Sequence, residues 1–242
     1  MNKYGSFKTY IFFIILLLSF GTPASSEAKK ENALAEQVEG LWLYTALITS
    51  EGKDLPLKGI FLFKNDVFLQ YAVFDNDPIQ NQGSMAHAGP YSAGKEYVHL
   101  TAEQTLSTAP LENQVMNSRG ITEHHVTVSR AGEGLTLIFS RGTGTVQKFQ
   151  RVGDGLGEIH KLENGMLALV DGYFILVNGN GSGIDSGYGT YHKEQNSIRL
   201  DIKRWTNADP SNATNLYETK MRANFDGQSL VLEDGQSFRV TS

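Results

Sequence analysis

Apolar and polar residues alternate with a period of two along most of the chain, which is the spacing of side chains on one face of a β-strand. Runs rich in aromatic and β-branched residues recur at short intervals, among them LWLYTALI, GIFLF, VFLQYAVF, YFILV and SLVL. A helical period occurs only in KENALAEQVEG, residues 30–40, where Gly40 would end a short helix. The pattern therefore predicts an all-β protein with one short helical lead-in.

The turn residues predict how these strands connect. Asp-Gly and Asn-Gly pairs favour two-residue hairpin loops, because such loops need positive φ angles. The chain has such pairs at Asp154-Gly155, Asn164-Gly165, Asp171-Gly172, Asp226-Gly227 and Asp234-Gly235. Strands joined by tight hairpins run antiparallel, so we expect an antiparallel meander. Closing the meander into barrels would remove exposed strand edges.

Several of the predicted strands are apolar on both faces. In GIFLF, Ile60 and Leu62 alternate with Phe61 and Phe63. A strand on a simple ligand-filled barrel usually faces water on one side. These strands therefore predict a second covering layer, which would be either a second β-unit or a partner chain.

An internal repeat favours the second β-unit. Gly89, Tyr91, Val98, Leu100 and Pro110 match Gly189, Tyr191, Ile198, Leu200 and Pro210, each 100 positions later. GIFLF from Gly59 also resembles GYFIL from Gly172, LTL from Leu135 resembles LVL from Leu230, and FQRV from Phe149 resembles FRV from Phe238. Four matches in one order favour an internal duplication. We expect two β-units, residues 40–153 and 154–242.

The first 28 residues have the layout of a secretory signal peptide. Lys3 and Lys8 precede an apolar stretch of 11 residues, 10–20, and small residues follow up to Ala28. A membrane-spanning helix needs about 20 apolar residues, so cleavage is the better interpretation. We expect an exported protein, periplasmic or extracellular, with no membrane span after cleavage. Residues 29–39 would form the helical lead-in.

Composition limits the possible functions. The net charge is -5 with scattered basic residues, which argues against nucleic-acid binding. With no cysteine there is no disulfide and no thiol nucleophile, and no Gly-x-Ser-x-Gly nucleophile motif occurs. No two histidines have the i, i+2 spacing that places two ligands on one strand face. We therefore predict no metal and no cofactor, and we favour a non-enzymatic protein.

Strand alternation identifies polar residues on apolar faces. Gln104 shares a face with Val98 and Leu100, and His124 shares one with Val126. In the second half, Arg204 continues the alternating series Ile198, Leu200 and Ile202. It lies 100 positions after Gln104 and therefore has the same place in the repeat. If these faces point inward, the three polar groups need partners. They would then hold the polar end of an apolar ligand, or they are satisfied core or rim residues.

Gly40-Leu41-Trp42 opens the first strand after the helical lead-in, and Gly-x-Tyr at Gly89 and Gly189 precedes two others. The Gly-x-Trp start resembles lipocalins and the wider calycin group, and the chain is similar to bacterial exported lipocalin-like proteins over residues 38–153. This resemblance implies a barrel with an apolar interior. The chain departs from the family in two respects: a Thr-Asp-Tyr motif and a late arginine that stacks on the tryptophan have no evident counterpart.

Three functional hypotheses follow. The leading one is an exported, lipocalin-like protein that binds or carries a small apolar molecule without catalysis. Its expected ligand-binding residues are Trp42, Tyr44, His87, Tyr91, Gln104, His124 and Arg204. The alternatives are a small-barrel isomerase or hydratase with His124 or His87 as general base, and an interaction module for an envelope protein.

Overall fold

The computed structural model describes residues 33–75, 78–141, 143–194 and 197–241. The predicted signal peptide, residues 1–28, lies outside this part of the chain. Two antiparallel sheets account for almost all of the described residues, and they form two eight-stranded barrels. The predictions of an all-β fold, an antiparallel meander and two β-units are confirmed. No helix among the described residues is long and apolar enough to cross a membrane.

Barrel 1 is a closed ring with a short helix, residues 33–38, at its lower end. Its ring consists of eight strands in the spatial order β1, β3, β4, β5, β6, β9, β10 and β11, with β11 pairing back onto β1. β7 continues β6 along β5 and pairs with β8, β2 pairs with the end of β1, and a 3-10 turn, Ile79–Asn81, follows β4. The strands are β1 Gly40–Ile48, β2 Asp54–Leu55, β3 Leu57–Lys64, β4 Val67–Phe74, β5 Ser84–Ala93, β6 Val98–Ala102, β7 Gln104–Thr108, β8 Met116–Arg119, β9 Thr122–Ala131, β10 Gly134–Arg141 and β11 Val146–Gly153.

Barrel 2 is a simple meander in which every strand pairs with the next one along the chain. One antiparallel bridge, between Leu162 and Val240, joins its last strand to its first. The strands are β12 Gly157–Leu162, β13 Gly165–Val170, β14 Tyr173–Asn180, β15 Gly183–Glu194, β16 Ser197–Ala208, β17 Ala213–Phe225, β18 Ser229–Leu232 and β19 Ser237–Arg239.

Three apolar cores explain why some strands are apolar on both faces. In β3, Phe61 and Phe63 point into barrel 1, whereas Ile60 and Leu62 pack against barrel 2. Barrel 2 has a core of its own that includes Trp205. The second covering layer predicted from the sequence is therefore the other half of the same chain.

Strand pairing shows that the repeat is real and corrects one of its matches. Phe68 pairs with Gly89 in barrel 1, and Phe174 pairs with Gly189 in barrel 2, so GYFIL corresponds to the start of β4. The prediction that GIFLF in β3 matches GYFIL is wrong by one strand. The error arose because short β-strands share a small alphabet of residues, and a glycine followed by apolar letters is not specific.

Bulges correct the predicted faces of Gln104 and Arg204. Strand pairing is interrupted at Glu103, between β6 and β7, and the register shifts beside Tyr188, opposite Arg204. A bulge reverses the alternation of side chains beyond it. Gln104 therefore lies on the face of Leu106, toward barrel 2, and Arg204 leaves the face of Ile202 to point toward barrel 1.

Candidate functional site

Five polar side chains form a layer inside barrel 1, between its aromatic lower core and its upper end, the end opposite the short helix. We call them the polar layer: Tyr44, Gln70, His87, His124 and Gln147. They project inward from β1, β4, β5, β9 and β11. Two of the five, Gln70 and Gln147, were not identified from the sequence.

Aromatic rings fill the barrel below this layer. Phe61 packs on Phe63 with ring centroids 4.4 Å apart, and on Phe149 at 5.7 Å. Phe63 meets Tyr91 edge to face at 5.2 Å. Because these rings contact one another across the interior, the lower part of barrel 1 is a packed core. Any ligand room in this barrel must lie at or above the polar layer.

The polar layer is a chain of directed hydrogen bonds. The Tyr44 hydroxyl donates to Oε1 of Gln147 at 2.7 Å and accepts a hydrogen bond from Nε2 of Gln70. Oε1 of Gln70 lies 3.0 Å from Nδ1 of His87. An amide oxygen can only accept, so Nδ1 of His87 carries the proton. Burial raises the pKa of Tyr44 above its ordinary value, which keeps this phenol protonated.

The tautomer of His87 leaves one reactive nitrogen. With the proton on Nδ1, Nε2 keeps its lone pair and can accept a hydrogen bond. Burial, with the neighbouring His124 as second cause, lowers the pKa of His87 to about 4. His87 is therefore a neutral imidazole at neutral pH.

His124 projects inward from β9, which is separated from β5 by β6, and its ring centroid lies 6.0 Å from that of His87. Its Nε2 lies 3.4 Å from the hydroxyl of Thr122, which in turn lies 2.6 Å from the hydroxyl of Thr105. Phe139 meets the His124 ring edge to face at 5.6 Å. Burial, with the nearby His125 as second cause, lowers the pKa of His124. Two neutral imidazoles thus face each other beside an apolar wall.

The rim above the two histidines is apolar. Leu55, Phe74 and Met85 are partly buried and pack against the core of barrel 1 at its upper end. His87 and His124 themselves remain partly exposed. The upper end therefore combines an apolar rim with hydrogen-bonding groups below it. This arrangement suits a small molecule with an apolar body and one polar group.

The other predicted aromatic site residues lie at the lower end. Trp42 is fully buried, its Nε1 donates to the carbonyl of Val38 at 2.7 Å, and the guanidinium groups of Arg130 and Arg151 lie 5.3 and 5.7 Å from its ring. Arg151 lies on the last strand of barrel 1, directly opposite Trp42. An arginine late in barrel 1 therefore lies beside the tryptophan, a contact that the sequence did not make evident.

Tyr91 belongs to the same lower core as Trp42. Its hydroxyl donates to Oε1 of Glu39 at 3.5 Å, below the packed rings and away from His87. Trp42 and Tyr91 therefore close the lower end and do not join the polar layer. Of the seven predicted site residues, the structure brings together Tyr44, His87 and His124.

Gln104 and Arg204 lie between the barrels. Nη2 of Arg204 pairs with Oδ1 of Asp75 at 3.0 Å, and its guanidinium lies 3.8 Å above the ring of Tyr217. This pair links β16 of barrel 2 to the end of β4 in barrel 1. Arg204 thus connects the two barrels and contributes nothing to a ligand site inside barrel 2.

The histidines of the outer surface do not extend the site. His99 and His125 face each other across β6 and β9 on the outside of barrel 1, with ring centroids 4.5 Å apart. Within residues 33–75, 78–141, 143–194 and 197–241, no group of three histidine or acidic side chains is arranged to hold a metal ion.

Comparison of the chain with protein-family models, with curated proteins and with solved structures gave no significant match.

Proposed function

We propose that the protein is an exported, lipocalin-like carrier that binds a small, largely apolar molecule at the upper end of barrel 1, without catalysis. The observation that carries this proposal is that the two barrels have the same strand register, but only barrel 1 has the polar layer. Gln70 faces His87 across β4 and β5, where barrel 2 has Leu176 facing Gly187. His124 faces Leu100, where barrel 2 has Met221 facing Leu200.

The fold itself does not need the polar layer. Burying amides and imidazoles costs free energy unless every group is paired, and an apolar interior avoids that cost. In barrel 2 the ring of Trp205 lies over Gly187, with Cε3 only 2.9 Å from the position a Cβ would take. Thr105 holds the position of Trp205 in barrel 1. In this fold a large apolar side chain can therefore fill the space that the polar layer occupies in barrel 1. Ligand binding would explain why barrel 1 has the polar layer instead.

The geometry also limits the ligand. The packed rings below the polar layer exclude a ligand there, so the molecule would lie near the upper end. Because Nε2 of His87 accepts, the polar group of the ligand is expected to donate an O–H or N–H. Phe139 and Met85 would contact its apolar part. The barrel architecture and the stacking of Arg151 on Trp42 support the lipocalin-like part of the proposal.

Fluorescence titration with aminoanthracene, an apolar probe with one N–H donor group, tests this proposal. We expect micromolar binding to the wild type and displacement by decanol, with weaker displacement by chlorodecane, which has no donor. His87→Leu, which removes the acceptor Nε2, should weaken probe binding about tenfold, equivalent to one good hydrogen bond. His99→Leu is the matched control, because His99 points outward from the neighbouring strand β6. Absence of probe binding, or equal loss in both variants, would refute the proposed site.

An enzyme with His87 as general base is the second candidate. The hydrogen bond from Nδ1 of His87 to Gln70 favours it, because it leaves Nε2 free to take a proton. A pKa near 4 makes this imidazole a weak base at neutral pH, so we favour the carrier. Mass spectrometry of a bound molecule after incubation separates the two: a carrier returns it unchanged, and an enzyme alters it.

Export is part of the proposal and is supported by the pattern of residues 1–28. Fusing these residues to a periplasmic reporter should direct the reporter out of the cytoplasm, and the mature protein should have lost about 28 residues, the length of that pattern. Cytoplasmic retention of an uncleaved chain would contradict it.

A further inference from the structure

Barrel 2 has an open seam in its wall. β12 and β19 meet at the single bridge between Leu162 and Val240. Next to it, the N–H of Thr241 donates to the carbonyl of Lys161 at 2.8 Å. Toward the start of β12, no described strand lies on this side of it. β13 is then the only strand partner of β12 in the described part of the chain. We call this stretch, residues 157–161, the seam edge.

The seam edge presents backbone groups that are free to pair. The carbonyl of Lys161 points into the seam, because Thr241 bonds to it. Backbone groups along an antiparallel strand alternate between its two edges, so the N–H and C=O groups of Ile159 and Gly157 point the same way. No strand of the described residues pairs with them there. Such an edge is a template for an additional strand.

A groove runs along the seam edge and gives access to it. Its volume is about 730 Å³, and its walls include Ile159 and Met166 of barrel 2 and Lys64, Val67 and Pro90 of barrel 1. A volume of this size is typical of ligand sites, which often lie between domains. The groove is long in the direction of β12, because it follows residues 157–161.

Barrel 1 indicates which kind of occupant fits the seam. Phe61 pairs with Gln70, and Leu167 pairs with Leu176, so Phe61 and Leu167 have corresponding positions. Because Trp42 of β1 faces Phe61 and His160 of β12 faces Leu167, β1 and β12 are corresponding strands. In barrel 1 the same edge of β1 is covered from Leu41 to Ile48 by the antiparallel strand β11. The corresponding edge of β12 is covered only near Leu162. β19, the counterpart of β11, covers β12 only there, so the remaining edge has the geometry to accept an antiparallel strand.

The inner side of the seam adds an aromatic surface, at the edge of which Nε2 of His160 lies 3.3 Å from Oε2 of Glu158. His160 packs edge to face on Phe225, with ring centroids 4.8 Å apart, and both rings lie on the barrel side of β12. A strand on the seam edge would place alternate side chains against these rings. The other side chains would point into the groove beside Lys64 and Met166.

We propose that the seam edge is a docking site for an extended segment of a partner polypeptide. The segment adds antiparallel to β12, pairs with the backbone of Ile159 and Gly157, and turns alternate apolar side chains onto His160 and Phe225. Its affinity comes mainly from main-chain hydrogen bonds, as in other cases of strand addition, and the alternating side chains supply selectivity.

A phage-displayed library of octapeptides with alternating apolar positions tests this proposal, with the whole protein as target. Ile159→Pro removes the N–H that faces the seam and leaves the hydrogen bonds between β12 and β13 intact. Ile159→Val is the matched control, because it keeps the backbone donor. Selected peptides should bind the wild type and the valine variant equally and lose about tenfold in affinity on the proline variant, the effect of one lost hydrogen bond with its neighbours.

A second measurement changes only the peptide, in case the proline variant does not fold. Methylation of alternate peptide nitrogens should abolish binding when it falls on the residues that face β12, and should have no effect on the other set. Bound peptide should also slow amide hydrogen exchange at Ile159. The proposal is overturned if no octapeptide is selected, if both methylation sets act equally, or if selected peptides leave exchange at Ile159 unchanged.

Discussion

Barrel 1 and barrel 2 have matching strand order, yet they differ inside at facing positions. Barrel 1 joins Gln70, His87 and His124 in a polar layer, whereas barrel 2 has Leu176, Gly187 and Met221 at the corresponding places. The walls differ as well, since barrel 1 is closed and barrel 2 has a seam between β12 and β19.

The difference separates what the fold requires from what it permits. Both barrels need large apolar residues at their corresponding core positions, such as Phe68 and Phe174. Among the described residues, only barrel 1 joins amides and imidazoles in one hydrogen-bonded layer, and only barrel 2 leaves a strand edge open. Features present in a single copy are therefore candidates for function, because the other copy shows that the fold forms without them.

The largest expected effect concerns the shared core. Phe68→Ala and Phe174→Ala each remove a ring that is about 1% exposed, and each should lower the free energy of unfolding by about 3–5 kcal/mol. Urea unfolding followed by tryptophan fluorescence can assign the loss, since Trp42 reports on barrel 1 and Trp205 on barrel 2. Leu111→Ala, at an exposed position, is the control. A loss below about 1 kcal/mol at one phenylalanine would show that the two cores are not equivalent.

The next effect is a pH dependence confined to barrel 1. The pKa of His87 is about 4 in the folded chain, against an ordinary value of 6.5, so below pH 6.5 the unfolded chain binds a proton that the folded chain does not. Stability is then full above pH 6.5 and falls as the pH drops toward 4, by up to about 3 kcal/mol.

Carboxylates also titrate in this range, so the prediction concerns the difference between the wild type and His87→Gln. The variant should have a smaller slope of unfolding free energy against pH, and Leu111→Gln, at an exposed position without a titratable group, should leave the slope unchanged. Equal slopes in the wild type and His87→Gln would contradict the assignment of His87 as a buried neutral imidazole.

A smaller effect is expected when one member of the polar layer is replaced alone. Gln70→Leu introduces the residue of barrel 2 but leaves Nδ1 of His87 without an acceptor. We expect a loss of about 1–3 kcal/mol in unfolding free energy. Leu176→Gln, the reverse change in barrel 2, should also destabilise, since Leu176 is fully buried in the apolar core of that barrel. A gain in stability from Gln70→Leu would show that the hydrogen-bonded chain is not formed.

The smallest effect concerns the charged contact between the barrels. Nζ of Lys161 lies 3.7 Å from Oε2 of Glu103, and both side chains are largely exposed. Lys161→Ala should change the unfolding free energy by less than about 0.5 kcal/mol, because solvent screens such pairs. A loss several times larger would mean that this contact, and not the apolar interface, holds the barrels together.

The fold could be predicted because its determinants are local patterns. The alternation of apolar and polar residues predicts the strands, and the glycine-containing turns predict a meander. The run around Phe61, apolar on both faces, predicts the second layer. The repeat was found through Gly89 and Gly189, which do occupy corresponding strand positions. Short apolar strings are less specific than paired positions, which is why one strand was matched to the wrong neighbour.

The site was only partly predictable. His87 and His124 were identified because each is a polar residue in an apolar strand, but Gln70 in VFLQYAVF carries the same signal and was missed. Gln104 and Arg204 were assigned to the wrong faces because each follows a bulge, and a bulge has no reliable mark in the sequence. Which polar residues meet inside a barrel depends on register, which alternation alone does not fix.

One measurement tests most directly the claim that the polar layer serves a ligand and not the fold: the unfolding free energy of a variant in which barrel 1 receives the residues of barrel 2. This variant combines Gln70→Leu, His87→Gly, Thr105→Trp and His124→Met, while Tyr44 keeps its partner Gln147. The account predicts an unfolding free energy at neutral pH within about 2 kcal/mol of the wild type, since replacing all partners by apolar groups is nearly neutral. A loss beyond about 5 kcal/mol would contradict it and assign the polar layer to the stability of barrel 1.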